Sequence, residues 1–157
     1  PLPPTSPKPP QPPSPPSPPP LPPLHPGVVA AATESKLRTL IEGAATSISI
    51  HLPPGARFEL PSQISCNSNI NVTVASSGEG ATLDGKDLTR LFYLTGGCSL
   101  TLQGLTLVNG RARSGGVVYA NGAGDVAIIE STVRNSYASR YFGGVVRADH
   151  SGAVSII

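Results

Sequence analysis

Two hydrophobic periods divide the chain. Between residues 33 and 45, Leu37, Leu40, Ile41, Ala44 and Ala45 recur at i, i+3, i+4, i+7 and i+8, the spacing of one helical face. Thr33 offers an N-cap hydroxyl and Glu34 an acidic first turn. An α-helix over 33–45 is therefore predicted, ending near Ala45. Beyond it the period drops to two. The runs at residues 47–52, 58–60 and 70–74 alternate apolar and polar positions, which reads as half-buried strands.

Residues 98–157 repeat. LTLQGLTLVNGRA at 100–112 is followed by SGGVVYA at 114–120, and VAIIESTVRNSYA at 126–138 by FGGVVRA at 142–148. Asn109 aligns with Asn135, Ala112 with Ala138, Gly115-Gly116 with Gly143-Gly144, and Tyr119 with Arg147. Val154-Ser155-Ile156 opens a third unit. The period is about 26–28 residues, within the range of stacked-repeat folds. Strands are expected at 100–102, 105–107 and 116–119, with no helix between them. Three short strands per turn at this period define an all-β parallel β-helix, each turn about 4.8 Å above the last. Val, Leu and Ile form inward columns. Gly and Asn make the corners, because both tolerate positive φ. The helix at 33–45 is expected to cap the open hydrophobic end.

Composition adds an N-terminal segment. Of 19 prolines, 16 fall in residues 1–26, so residues 1–27 read as a proline-rich polyproline II or disordered spacer and 28–157 as the β-helix domain. Lys8 anchors no SH3-type pattern, since Gln11 and Ser6 stand where such patterns fail. A plain linker and an intracellular ligand are the other readings of the segment. The net charge of +2 argues against a nucleic-acid partner. No run of 18 apolar residues is present, so no membrane span is read. The chain lacks Met, and Ile157 follows an opening strand. A longer protein is therefore expected, with this chain as the N-terminal part of its β-helix, and its exposed upper end is expected to self-associate.

The segments GATLDGKD at 80–87, LFYL at 91–94, LTLQGLTL at 100–107 and the Gly-Gly-Val-Val repeats resemble the right-handed parallel β-helix, or pectin-lyase-like, superfamily. The likeness extends to repeat-bearing algal wall and surface proteins and, more distantly, to polymorphic outer-membrane proteins. Ser-Pro runs at 6–7, 14–16 and 17–20 resemble hydroxyproline-rich cell-wall glycoproteins. The resemblance implies an extracellular location, in a wall or matrix or at the cell surface.

The enzymes of that superfamily cut polysaccharides with clustered carboxylates or with calcium. Asp84 and Asp87 lie in an Asp-Gly turn and read as turn formers. Asp125 and Asp149 are placed in loops of adjacent turns without aligning, and Glu130 stands apart. Inverting glycosidases hold two carboxylates roughly 6.5–9.5 Å apart, and nothing in the sequence commits to that. His25, His51 and His150 are isolated. No catalytic residue, metal site or cofactor is assigned. A glycan-binding face is read from Arg111, Arg113, Tyr119, Arg134, Tyr137, Tyr141 and Arg147; a solvated surface is its plain alternative. Asn71-Val72-Thr73 is a glycosylation sequon. Cys66 and Cys98, the only two cysteines, stand near one turn apart and are expected to form a disulfide between neighbouring rungs. Two buried free thiols are the alternative. The sequence thus predicts a structural or glycan-adhesive module whose partner is wall or matrix polysaccharide. The competing readings are a polysaccharide lyase or glycoside hydrolase with its site beyond Ile157, and a receptor ectodomain.

Overall fold

The computed structural model describes Pro1, residues 27–141 and residues 143–157. The polyproline II reading of residues 2–26, and His25 with it, lies outside the described residues.

The first elements are strand β1 (Val28–Ala30) and helix α1 (Glu34–Glu42). Four turns follow. Turn one holds β2 (Ile48–Leu52), β3 (Arg57–Glu59) and β4 (Ile64–Cys66). Turn two holds β5 (Asn71–Ser76), β6 (Ala81–Asp84) and β7 (Phe92–Leu94). Turn three holds β8 (Ser99–Gln103), β9 (Leu105–Val108), β10 (Arg111–Ala112) and β11 (Val118–Asn121). Turn four holds β12 (Val126–Ile129), β13 (Thr132–Arg134), β14 (Tyr137–Ala138) and β15 (Val146–Asp149), and β16 (Val154–Ile156) begins the next. Every pairing is parallel; all join one turn to the next except that of β1, which lies beneath β2 of turn one. The sheet orders are β1-β2-β5-β8-β12-β16, β3-β6-β9-β13, β4-β7-β11-β15 and the short pair β10-β14. The protein is a parallel β-solenoid.

The repeat sets the register. Val72 faces Leu100, Leu100 faces Val126 and Val126 faces Val154, each partner one full turn above the last. Because side chains alternate, each inward residue tops a column. Ile50, Val74, Leu102 and Ile128 make one, Ile64, Phe92 and Val118 another, and Phe58, Leu83 and Leu107 a third, all nearly free of solvent. Burying each such side chain contributes about 1.5–3 kcal/mol. The columns open at the top: Val154, Ile156 and Ile157 are exposed.

Helix α1 closes the lower end. Thr33 caps it, accepting from the Lys36 N–H at 3.2 Å, and Leu37 and Ile41 enter the core. Arg38 donates to the Gln63 and Ser62 carbonyls at 2.8 Å each, while Glu42 accepts from the Ser65 N–H at 3.2 Å. These side chains thus satisfy the lower edge of β4, where a further strand would otherwise pair. The helix stops at Glu42, short of the predicted Ala45. Gly43 closes it, its N–H bonded to the Thr39 carbonyl at 3.1 Å, and Ala45 is exposed outside it.

The strand expected at 116–119 starts later, at Val118, because Gly115 turns the corner at φ +56°. Gly116 is confined as well: a Cβ there would lie 2.6 Å from the Gly144 carbonyl oxygen of the next turn. Asn109 and Asn135 also take positive φ, 54° and 52°, as the corner reading of those residues requires.

Cys66 and Cys98 are joined, with Cα atoms 6.0 Å apart and both side chains buried. Cys66 ends β4 and pairs with Leu94 of the turn above; Cys98 lies past the corner that follows β7. The bridge therefore ties turn one to the entry of turn three. A Cys66→Ala/Cys98→Ala protein should lose about 2–4 kcal/mol in a urea titration. Equal midpoints for variant and parent would show that the ladders hold the rungs unaided.

Candidate functional site

Four outward positions of the β4-β7-β11-β15 sheet fall in one column: Ser65, Tyr93, Tyr119 and Arg147. The Tyr93 and Tyr119 rings are 5.6 Å apart and tilted by 47°. Arg90 reaches over both, its Cζ 5.7 Å from the Tyr93 centroid and 4.9 Å from that of Tyr119. Its buried Nη1 has no hydrogen-bond acceptor, and the ring faces supply the negative charge it meets instead. Arg147 continues the alternation, 5.6 Å from the Tyr119 centroid and 5.8 Å from that of Tyr141.

Asp149 fixes the upper part of this column. It accepts from Arg147 Nε at 2.8 Å and from the Tyr119 hydroxyl at 3.1 Å, while Arg147 Nη1 donates to Ser114 Oγ at 2.9 Å. Burial, and then the bond to Asp149, push the Tyr119 phenol above its ordinary pKa. Asp149, placed in a loop by the sequence reading, is the last residue of β15.

A second group stands at the corner made by β10 and β14. Arg111 pairs in register with Tyr137, and its Cζ sits 5.3 Å from that ring. Arg113 follows two residues on, and its carbonyl accepts from the Arg140 and Tyr141 N–H groups. Of the seven residues read as a glycan-binding face, the structure thus gathers Tyr119 and Arg147 on one sheet, and Arg111, Arg113, Tyr137 and Tyr141 at the adjoining corner, the Tyr141 ring lying beside Arg147. Arg134 belongs to neither group; it ends β13 on the β3-β6-β9-β13 sheet, in register with Val108. The sequence pattern does not single out Arg90, Tyr93 or Ser114 for this face, nor Asp149 as its anchor. Tyr93 was findable, because LFYL places it one repeat period before Tyr119. Arg90 sits in an unrepeated loop and carried no signal.

Asp84 is the one buried acid among the described residues, at 2% exposure. Its Oδ1 accepts from the Lys86 N–H and from Asn109 Nδ2, at 2.8 Å each, and its Oδ2 from Arg57. That is turn chemistry, with a corner asparagine added. Burial alone would raise its pKa, but the Lys86 N–H, Asn109 and Arg57 together hold it below 3.8. Asn71 is exposed at the start of β5, with Val72 buried and Thr73 half-buried. His51 is half-buried in β2; His150 is exposed at a corner with φ +52°. Among the described residues no group of His, Cys, Asp and Glu is arranged to hold a metal ion, and no helix is long and apolar enough to cross a membrane.

Fold and surface together define the class, a parallel β-solenoid with an arginine–tyrosine face. Comparison with protein-family models, with curated proteins and with solved structures finds no match.

Two titrations test this geometry. A carboxylate held low in the folded chain stabilises it above the unfolded pKa, and that stability drains as pH falls through the folded value. Asp84→Asn should therefore cost about 1–3 kcal/mol at neutral pH, a gap that narrows below pH 3.8 in denaturant titrations at each pH. A phenol with a raised pKa acts in the opposite direction: its stabilisation is present below pH 10.0 and is lost as pH rises through the folded value. In a tyrosinate absorbance titration, Tyr119→Phe should remove a component that ionises above pH 10.0.

Proposed function

We propose that this chain is an extracellular structural or glycan-adhesive module of the pectin-lyase-like kind, carried on a proline-rich spacer in a wall or matrix or at the cell surface. The observation that carries the reading is the alternation of tyrosine rings and guanidinium groups over turns two to four. Tyrosine presents a rigid apolar face with a polar tip, and arginine a planar fork of donors; both suit sugar rings and their substituents. The repeat frame holds these side chains at fixed heights, as an adhesive surface requires. The buried Cys66–Cys98 bridge favours an oxidising compartment.

A polysaccharide-cleaving enzyme would need free carboxylates at a cleft. Asp84 is engaged by three donors and Asp149 by two, which favours the adhesive reading over the enzymatic one for these residues. Self-association through the exposed Val154, Ile156 and Ile157 belongs to the same proposal. A polar capping turn added after Ile157 should then lower the scattering mass.

Affinity electrophoresis through gels containing neutral or acidic wall polysaccharides tests adhesion. At least one gel should retard the full chain. Tyr141→Ala, which removes a ring that is 59% exposed, should weaken that retardation roughly three- to tenfold, on the order of 1 kcal/mol. Migration indifferent to every polysaccharide would remove the adhesive half of the proposal.

A further inference from the structure

We propose that the corner formed by β10 and β14 binds an anionic glycan, one that carries sulfate or carboxylate groups along its length. This narrows the adhesive reading above to a ligand class, and it rests on that reading. Arg111 opens β10 and Arg113 follows one residue past its end, and both are exposed. Tyr137 stands over Arg111 in register, one turn up. The chain then folds back, so that the Arg140 and Tyr141 N–H groups both donate to the Arg113 carbonyl, at 3.3 and 2.8 Å. Three arginines and two tyrosines are thereby gathered at one exposed corner.

The charge at this corner is unspent. Arg38, Arg57 and Arg147 each form an ion pair, with Glu34 and Glu42, with Asp84, and with Asp149. Arg111, Arg113 and Arg140 form none among the described residues. Asp87, in the turn below, donates its N–H to the Asn109 carbonyl at 2.9 Å and forms no ion pair among the described residues. Natural chains usually intersperse the two signs on a surface. A cluster of free forks is instead suited to bidentate recognition of sulfate or carboxylate. The stack on Tyr137 holds the Arg111 head group in place, which lowers the entropy lost on binding. Tyr137 and Tyr141, 42% and 59% exposed, offer faces for the sugar rings between the anions. Nucleic acid is also a polyanion, but the net charge is only +2, and buried disulfides belong to compartments where glycans supply the anions.

The test is salt elution of the full 157-residue chain from immobilised heparin, polygalacturonate and neutral dextran, with duplex DNA as a fourth column. The chain should be retained on at least one of the two anionic glycans more strongly than on dextran or DNA. Arg111→Gln/Arg113→Gln/Arg140→Gln should lower that affinity by tenfold or more. Lys36→Gln, which removes an exposed charge on α1, should change it by less than about twofold. Asp87→Asn should strengthen it. Arg111→Lys keeps the charge and loses the fork, so it should retain only part of the affinity, and circular dichroism will show whether each variant stays folded. Retention on dextran alone would overturn this inference and leave glycan adhesion standing. Retention on no glycan would overturn both. Strongest retention on DNA, or equal losses from the triple variant and Lys36→Gln, would show that the corner is no glycan site.

Discussion

A strand laid on a parallel stack satisfies only half of its backbone groups; the other half wait for the next turn. That constraint governs the whole molecule. Each turn must return to the same three directions, so strand positions are fixed while the connecting corners lengthen and shorten. Along the first sheet the register runs from Ile48 to Val72, Leu100, Val126 and Val154. Those steps are unequal in length, and the corners absorb the differences. At the lower end the constraint is met without a turn. β1 pairs with β2, and side chains of α1 take the place of a strand beneath β4.

The candidate surface lies where the chain is free to vary. Between β6 and β7, turn two makes a tight turn around Asp84 and carries Arg90 beside the Tyr93 ring of its own turn and the Tyr119 ring of the next. In turns three and four the same interval widens to admit β10 and β14. A site built there gains side chains without disturbing the columns beneath, and the ladder sets the height of each. Function grafted on a corner of a rigid frame is the usual arrangement in repeat folds.

Much of this was legible because the repeat is close in turns three and four. Matching Gly115-Gly116 to Gly143-Gly144 fixed the register of Tyr119 against Arg147, and the pairing of Arg111 with Tyr137 follows from the match of Ala112 to Ala138. Turns one and two repeat by burial pattern alone, so β1, β4, β6 and β7 were not delimited. The helix was read too long because Ala44 and Ala45 extend the apolar spacing past Gly43, where the backbone leaves the helix. Arg90 was invisible for a different reason. Its partners are ring faces on two successive turns, and no local spacing encodes a contact made across rungs.

The arginines then separate into two kinds, and the separation carries the functional argument. Arg38 holds the cap, Arg57 neutralises a buried carboxylate and Arg147 is locked between Asp149 and Ser114. Removing any of these leaves a partner unsatisfied inside the fold, so their presence is explained by stability. Arg111, Arg113 and Arg140 satisfy no carboxylate among the described residues, and their neighbours are exposed tyrosines. Stability needs one stacked pair at most, Arg111 on Tyr137, and exposed contacts of that kind contribute only about 0.5–1 kcal/mol. What folding leaves unspent at this corner is three donor forks and two ring faces at heights set by the ladder, and that remainder is available to a ligand.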